Sequence, residues 1–437
     1  MVLTDVDKNI VRGKKLLILS GNSQHIKVAE AAKELGVYTI VADYLDPESS
    51  PAKKVADEIW MDSFSDVDTL VSRCKKAGID GVLTCYREST LIPYYRICQE
   101  LDLPCYADIK QFDIMMNKKK FKKLCMENNV SVIDEFTLDD VAGGNIEFPV
   151  FVKPADNGAS KGQSICYNMD ELLKAIKFAE SESVAKEIII EKYYANKNSF
   201  QVTYFFVNGV PYVIRTADGY KGKIEDNLDR VALCSISPSE YTREFLDTTN
   251  DNLVKMFERI GVKDGPVMVQ GFYDNGTFRF YDPGRRFPGT DFELVYKEEF
   301  GIDLMRMMVV FAISGKMPGI ALNNDNVFLH GKKAVVLFPT LQMGTIGAVQ
   351  GFEQLKKDSR IRNIRQKYNS GETIDKPNTT LQRIFEIDFI SERMEEIVNT
   401  IEYIQRTINV KDINGRNMLY KPFDVSRLSE KSLGGKK

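Results

Sequence analysis

Histidine is scarce in this sequence, and its cysteines are not arranged for metal binding or disulfide bonding. The chain has 437 residues and two histidines, His25 and His330. A Ser-His-Asp triad or a multi-histidine metal centre would need one of them, so we expect neither kind of site. We expect His25, which follows a strand and a turn, at the surface or in a cap. The seven cysteines form no CxxC pair and none follows Cys234, which favours free thiols in a reducing cytoplasm.

Long apolar runs and an excess of basic charge are also missing. No run approaches the roughly 20 apolar residues that span a bilayer. The first residues, MVLTDVDKN, contain acids and lack the apolar core of a signal peptide. The formal net charge of −3 leaves no basic excess to neutralise a nucleic-acid backbone. We therefore expect a cytoplasmic protein that binds neither membranes nor nucleic acid, with chemistry carried by carboxylates, lysines, arginines and bound ions.

The first part of the sequence alternates apolar strands with helices. Strands are predicted at residues 16–19, 38–42 and 81–84, and helices at residues 26–35 and 92–101. Near-continuous apolar strands that alternate with helices predict the α/β class with a doubly wound parallel sheet. The turn SGNS after the first strand matches GxGxxG poorly, which argues against a dinucleotide site.

From about residue 113 the pattern changes to a mixed α+β order. A basic helix, NKKKFKKLCMENN, precedes the strand-and-loop segment FPVFVKPADNGASKG at residues 148–162. A helix, the apolar strand EIIIE and two hairpins follow, with Asn208-Gly209 and Asn275-Gly276 at two-residue turns. A helix at 303–314, short strands after His330 and an amphipathic helix at 391–408 complete the order.

The segment at residues 148–162 has the composition of a phosphate-binding element. Its apolar strand ends on Lys153, and the loop that follows is rich in glycine and small polar residues. Lysine supplies a point charge, and glycine lets backbone N–H groups approach phosphate oxygens closely. An exposed hairpin whose Gly, Asn and Ser serve only as turn residues is the alternative interpretation.

Four residues elsewhere in the chain have side chains that suit a nucleotide whose phosphates this segment would bind. Lys118 begins the basic helix, Glu191 ends the strand EIIIE, and Gln270 and Asp282 lie on the two arms of a hairpin. Two lysines suit the α- and β-phosphates, and a glutamate at a strand end suits the adenine edge. Paired oxygen ligands on adjacent strands suit Mg²⁺, which bridges phosphates and keeps waters.

Taken in this order, the residues resemble the ATP-grasp superfamily over nearly the whole chain. The opening, LLILSGNSQHIKVAEAAKELGVYTIVADYLDPESSPAKKVADEIW, is similar to the domain that precedes ATP-grasp in carbamoyl-phosphate synthase and biotin carboxylase. The resemblance implies a pre-ATP-grasp domain over residues 1–112 and an ATP-grasp domain over 113–325. Within the latter, it implies a small lobe over about 113–195 and a large lobe over 196–325. A small α+β region that closes the structure would cover 326–437.

The resemblance also implies which residues bind ATP together with Mg²⁺ or Mn²⁺. The ATP set comprises two phosphate lysines, a loop that closes over the triphosphate, an adenine hinge and a position near the ribose: Lys118, Lys153, Ser160, Lys161, Gly162, Glu191, Tyr193, Tyr194 and Ser199. Gln270 and Asp282 fall on the metal positions. Arg286 and Lys161 are the implied catalytic groups. Tyr193 and Tyr194 are equally typical of packing residues, and Gln270 of a cross-strand amide.

The sequence departs from the family pattern at the metal site. Where the family has E-x-N-x-R, this chain has Asp282-Pro283-Gly284-Arg285-Arg286, so the asparagine ligand is missing. The other metal position is Gln270 rather than an acid. One strong anionic ligand remains, which leaves ATP binding expected and argues against a two-metal site.

The resemblance implies a ligase that joins a small carboxylic acid to an amine. A carboxylate would attack the γ-phosphate of ATP to form an acyl phosphate, and an amine or similar nucleophile would displace phosphate. This chemistry needs no protein nucleophile or histidine. Arg285, Glu88 and Lys221 are candidate substrate contacts. The alternatives are a bicarbonate-activating carboxylase or carbamoyl-phosphate-synthase-like enzyme, and an ATP-binding regulator without turnover. A homodimer is compatible with the sequence.

Overall fold

A parallel sheet forms the N-terminal part of the protein. The structure, a computed structural model, describes residues 5–155, 162–183, 186–194, 197–223, 228–319 and 322–428. The first elements are α1 (Asp5–Val11), β1 (Lys15–Leu19), α2 (Ile26–Glu34), β2 (Tyr38–Ala42), β3 (Glu58–Trp60), α3 (Val67–Ala77), β4 (Gly81–Leu83) and α4 (Leu91–Leu101). The four strands pair in the order β3-β2-β1-β4, all in parallel. The central strand β1 buries four consecutive apolar residues, as its continuous apolar run predicts.

A second, antiparallel sheet of four strands follows. Its region contains α5 (Ile109–Met116), α6 (Lys118–Glu127), β5 (Glu135–Phe136), α7 (Leu138–Ala142), β6 (Val150–Pro154), β7 (Ser164–Cys166), α8 (Met169–Glu182) and β8 (Ile188–Lys192). The strand order is β5-β8-β6-β7. Val150 and Val152 of β6 are buried in one core with Leu172 and Ile176 of α8. The sheet therefore holds the end of β6, with Lys153, next to β8.

The largest sheet has eight antiparallel strands, five of which come from the middle of the chain. The elements here are β9 (Ser199–Val207), β10 (Val210–Lys221), β11 (Ala232–Ser237), α9 (Thr242–Thr248), α10 (Asn250–Arg259), β12 (Gly265–Asp274), β13 (Thr277–Gly284), α11 (Phe292–Phe300) and α12 (Leu304–Ser314). Asn208 and Gly209 have φ of 52° and 85°, and Asn275 and Gly276 have φ of 48° and 79°. Positive φ at both turn residues matches the predicted two-residue hairpins.

The C-terminal part completes this sheet. It contains β14 (Lys333–Leu337), β15 (Gly344–Gln350), α13 (Phe352–Lys356), β16 (Ile361–Gln366), β17 (Thr373–Ile374), β18 (Phe385–Ser391), α14 (Met394–Thr407) and β19 (Asn409–Asp412). The order of the large sheet is β13-β12-β9-β10-β11-β14-β18-β16. Because β11 pairs with β14, the boundary proposed at residue 326 falls inside one continuous sheet.

Helix α12 returns from the middle of the chain to the N-terminal sheet. A Cβ added at Gly81 of β4 would lie 2.4 Å from the carbonyl oxygen of Ala312 in α12, so glycine permits this close approach. The largest hydrophobic core accordingly contains residues of both parts. In the described part of the chain, no helix has the length and apolar character needed to cross a membrane.

His25 occupies the N-cap position of α2, one of its two expected places, but its side chain makes no capping hydrogen bond and is completely buried. Its Nδ1 lies 2.7 Å from Asn22 Oδ1, and its ring meets Tyr86 edge-on with centroids 5.7 Å apart. Nε2 has no hydrogen-bond partner among the described residues. Burial lowers the pKa of His25 to about 3, with a further contribution from Lys27.

Candidate functional site

A buried cluster of lysines and carboxylates lies where β6, β8 and α6 meet. Lys153 Nζ is 2.5 Å from Glu191 Oε2, because β6 and β8 are antiparallel neighbours with Phe151 opposite Glu191. Lys122 of α6 binds the other oxygen of Glu191 and also contacts Glu135. The side chains of Lys122, Lys153 and Glu191 are all buried.

The charges in this cluster depend on one another. Burial alone would raise the pKa of Glu191, but Lys153 and Lys122 hold it below its ordinary value. Burial lowers the pKa of Lys153, and Glu191 opposes that effect. The positive charge of Lys118 also reaches Lys153, which brings the two predicted phosphate lysines into one electrostatic environment.

Lys118 connects this cluster to the hairpin of β12 and β13. Its Nζ lies 3.2 Å from Asp282 Oδ1, and Asp282 is the main influence that raises the pKa of Lys118. Gln270 and Asp282, the predicted metal ligands, are directly opposite each other on β12 and β13. Tyr281 Oη donates to Gln270 Oε1 at 3.4 Å. The first turn of α6 therefore contacts the strand pair that would hold a metal.

Arg286 and Glu88 lie beside this hairpin. Arg286 Nη2 is 3.6 Å from Glu88 Oε2, and Nη1 donates to the carbonyl oxygen of Phe287 at 3.1 Å. Burial raises the pKa of Glu88, and the negative charge of Asp282 adds to this effect while Arg286 opposes it. The structure thus brings the predicted catalytic arginine next to a predicted substrate residue from the N-terminal part.

The predicted adenine hinge contains two tyrosines with different surroundings. Tyr193 Oη donates to Asp229, and its backbone N–H donates to the carbonyl oxygen of Pro149 at 2.9 Å. Tyr194 is buried and stacks on Phe272 with ring centroids 5.0 Å apart. For Tyr194, this geometry favours the packing interpretation.

Two predicted residues of the phosphate loop, Ser160 and Lys161, lie outside the described residues. Gly162 is described and has φ of +72°. A Cβ at Gly162 would lie 2.7 Å from Pro154 Cγ, so the end of the loop packs against the end of β6. Both the positive φ and this contact require glycine at this position.

Arg285 does not lie at the site where substrate contact was predicted. It is completely buried, and its guanidinium donates to three backbone carbonyl oxygens, those of Pro266, Tyr106 and Asp264, and to Gln111 Oε1. These bonds tie β13 to the region around α5. The corrected role of Arg285 is structural, because its donors are used within the protein.

Known proteins are similar to this chain both in sequence and in fold. The family model of the D-ala D-ala ligase C-terminus matches residues 110–205, the segment that holds Lys118, Lys153 and Glu191. Among solved structures, L-amino acid ligase from Bacillus licheniformis superposes with a TM-score of 0.73 at 19% identity, over 92% of this chain and 99% of that chain. Residues 110–205 are thus similar to the D-ala D-ala ligase C-terminus, and the chain shares its fold with this amino acid ligase.

The names of other relatives refer to different substrates. One of them is formate-dependent phosphoribosylglycinamide formyltransferase of Prochlorococcus marinus strain MIT 9515, to which this chain is 26% identical over 188 residues. The aligned region covers 41% of this chain and 47% of that protein. The biotin carboxylase domain of Hydrogenobacter thermophilus 2-oxoglutarate carboxylase, solved with MgADP and bicarbonate, matches with a TM-score of 0.71 at 17% identity, over 93% of this chain and 91% of that one. This chain spans less than half the length of the first curated relatives that it matches.

The hairpin of β12 and β13 offers few metal ligands. Among the described residues, no group of three or more His, Cys, Asp or Glu side chains could hold a metal ion. Gln270 and Asp282 supply one amide oxygen and one carboxylate. Such a pair fits a single Mg²⁺, which is commonly held by one or two carboxylates and by the phosphates of its nucleotide.

The sequence interpretation missed several basic residues. Lys122 was not singled out within the basic helix, although it lies four positions after Lys118 and so on the same face of α6. Arg215, Arg230 and Arg383 line a cavity of about 280 Å³ together with Lys221 and Ser199, both of which were predicted. This cavity shares Gln270, Gly289, Thr380 and Arg383 with a larger cleft of about 1130 Å³ that Arg286 also lines.

Proposed function

We propose that this protein is an ATP- and Mg²⁺-dependent ligase that activates a carboxylate as an acyl phosphate for attack by an amine or a similar nucleophile. The observation that carries the proposal is the convergence of Lys118, Lys153, Glu191 and Asp282 on one site, although they come from four separate segments. The names of relatives, which include D-alanine–D-alanine ligase and L-amino acid ligase, support C–N bond formation.

In this proposal each residue has a role that its position suits. Lys118 and Lys153 neutralise the phosphates. Glu191 fixes the position of Lys153 and accepts a hydrogen bond from the adenine edge. Arg286 stabilises the transferring phosphoryl group. Gln270 and Asp282 would hold Mg²⁺, which would neutralise further phosphate charge.

The bond changes need no protein nucleophile. A carboxylate oxygen attacks the γ-phosphorus, the bond from phosphorus to the β,γ-bridging oxygen breaks, and ADP leaves. The amine then attacks the acyl carbon, loses a proton to solvent, and phosphate departs. Positioning and charge neutralisation account for catalysis of this kind.

The experiment measures ADP release from the purified chain with ATP, Mg²⁺ and pools of carboxylic acids and amines. A parallel reaction with hydroxylamine traps an acyl phosphate as a hydroxamate. We expect ADP release that depends on an acid and stops when Mg²⁺ is chelated. ADP release with bicarbonate alone would indicate a carboxylase. ATP binding without any ADP release would indicate a regulator.

A matched pair of variants tests the ATP site itself. Lys153→Met is expected to weaken ATP binding by about tenfold or more, since a charged hydrogen bond contributes about 1.5–3 kcal/mol. Lys120→Met removes an exposed lysine of α6 that pairs with Asp113 and should bind ATP as the wild type does. Wild-type ATP affinity in Lys153→Met would refute the assignment.

The quaternary state is a separate part of the proposal. The biotin carboxylase domain from Hydrogenobacter thermophilus is described as a dimer. We propose a homodimer here as well, which light scattering of the purified chain would test by its measured mass.

A further inference from the structure

The cavity of about 280 Å³ beside the ATP site has an unusual charge composition. We call it the basic cavity, and it lies on the face of the large sheet formed by β9, β10, β11 and β12. Four of its lining residues are cationic: Arg215, Lys221, Arg230 and Arg383. None of the described residues that line it is an aspartate or a glutamate.

The described side chains that contact these four cations are uncharged: serine and glutamine at two of them, and phenylalanine at the other two. Arg215 donates to Ser235 Oγ at 3.0 Å, to Ser237 Oγ at 3.1 Å and to Gln201 Oε1. Arg230 Nη1 donates to Gln163 Oε1 at 3.1 Å. These side chains position the guanidinium groups without neutralising them.

The other two cations lie over aromatic rings. Lys221 Nζ is 4.7 Å from the ring centroid of Phe272, and the guanidinium carbon of Arg383 is 4.0 Å from that of Phe338. Arg383 Nε is buried without a hydrogen-bond partner among the described residues. Arg383 also lines the larger cleft, so it lies where the two spaces join.

Burial without a carboxylate partner disfavours these charges. It lowers the pKa of Lys221 to about 8, and those of Arg215 and Arg383 to about 10. Asp229 counteracts the effect of burial at Lys221 and Arg230, and Glu293 and Asp388 counteract it at Arg215. None of these three carboxylates lines the cavity, and Asp229 accepts hydrogen bonds from Tyr193 and Asn378. Uncompensated buried charge is costly, and an anionic ligand would offset that cost.

We propose that the basic cavity binds the acid that the ligase activates, and that this acid is a small dicarboxylate. This inference rests on the proposed function. The carboxylate that reacts would lie near Gln270, which lines both the cavity and the larger cleft, and the second carboxylate would bind Arg383, Lys221 and Arg215. At about 30 Å³ for each water molecule in the liquid, the cavity has room for several waters and exceeds the needs of bicarbonate.

The test is calorimetric titration of the full chain, saturated with MgADP, with dicarboxylates of two to six carbons and with the monocarboxylates of matching length. ADP leaves the γ-phosphate position vacant, so binding of the acid is measured without turnover. We expect at least one dicarboxylate to bind at least tenfold more tightly than its monocarboxylate. Arg383→Gln and Lys221→Met should each weaken that binding about tenfold or more.

Two controls separate this inference from folding defects. Arg393→Gln removes an exposed arginine that pairs with Glu396, away from the cavity, and should leave acid binding unchanged. Arg383→Lys keeps the charge and should recover part of the affinity that Arg383→Gln loses. The affinity for MgADP should stay within about twofold in all these variants.

Several outcomes would overturn the inference. These are equal affinities for dicarboxylates and monocarboxylates throughout the series, tighter binding of bicarbonate than of any dicarboxylate, or equal loss of MgADP and acid binding in Arg383→Gln. The last result would assign the cavity to nucleotide phosphates. Failure of the wild type to bind MgADP at all would instead refute the proposed function.

Discussion

Lys122 shows how one residue on a basic helix can differ from its neighbours. Lys122 is buried and binds Glu191 and Glu135, whereas Lys123 is exposed. Lys119, three positions before Lys122, is also exposed and pairs with Glu187 at 2.5 Å. The same amino acid therefore serves the site at one position and the protein surface at the next.

Replacement of Lys122 should destabilise the fold. Lys122→Met leaves Glu191 with only Lys153 as a buried partner, and removal of one member of a buried pair costs about 3 kcal/mol. Lys123→Met is the adjacent control and should change the free energy of unfolding by less than about 0.5 kcal/mol. Urea denaturation of both variants measures the difference, and equal stabilities would contradict the buried ion pairs.

His25 predicts a pH dependence of stability. Its pKa is near 6.5 in an unfolded chain and about 3 in the folded protein, so unfolding takes up a proton between these values. The free energy of unfolding should therefore fall as the pH drops below about 6.5. According to the linkage relation, the slope due to this group approaches about 1.4 kcal/mol per pH unit.

Comparison with His25→Gln isolates that contribution. Denaturation midpoints of wild type and variant would be measured from pH 8.5 to pH 5.5. The two curves should run parallel above about pH 7.5, and the wild type should lose more stability below about pH 6.5. Curves that stay parallel down to pH 5.5 would show that His25 is not buried as a neutral residue.

At this scale the sequence predicted residue types better than residue environments. Lys153 and Glu191 could be predicted because each ends an apolar strand, which leaves few other reasons for a charge. Arg285 and Arg286 are adjacent and chemically identical, yet one is buried on carbonyl groups and the other lies beside Glu88. Only the direction of each side chain separates them, and that direction depends on β13 and its partners.

Among the elements, β4 and α12 are in unusually close contact. Gly81→Ala would place a Cβ 2.4 Å from the carbonyl oxygen of Ala312, so the strand and the helix would have to separate. Overpacking of this kind typically costs about 1–3 kcal/mol. Gly319→Ala, where a Cβ has no neighbour within 4 Å, is the control and should be almost neutral. Thermal unfolding of both variants measures the contrast, and equal melting temperatures would contradict this packing.

Most individual elements could be predicted from local signals. Apolar runs predicted β1 and β2, the helix predicted at residues 303–314 matches α12, and Asn-Gly pairs predicted the two hairpins. The contact between α12 and the N-terminal sheet could not be predicted, because α12 lies more than two hundred positions later in the chain than β4. Sequence periodicity identifies an apolar face, but it does not identify the partner of that face.

For the whole molecule, the pairing of β11 with β14 joins the middle of the chain to its C-terminal part. Lys27 Nζ of α2 lies 2.5 Å from Asp291 Oδ1, and Arg365 of β16 lies 3.0 Å from the same oxygen. Asp291 thus links N-terminal and C-terminal elements in one buried ion-pair network. These contacts join elements of all three predicted regions, residues 1–112, 113–325 and 326–437.

A chain that ends at residue 325 should therefore fail to fold cooperatively. It would lack β14, β18 and β16, leave the edge of β11 unpaired, and remove Arg365 from Asp291. We expect low yield in the soluble fraction and rapid proteolysis relative to the full chain. A sharp, reversible thermal transition in this fragment would contradict the prediction.

The larger cleft also has a consequence for attempts to change the protein's specificity. Its lining includes Gln24 from the N-terminal part, Arg286 from the end of the β12–β13 hairpin, and Arg383 from the C-terminal part. A mutational library confined to one stretch of the gene would vary only one wall of this space. Productive variants should require paired changes encoded hundreds of codons apart, and chimaeras that exchange a single terminal segment with a relative should lose activity before they gain a new substrate.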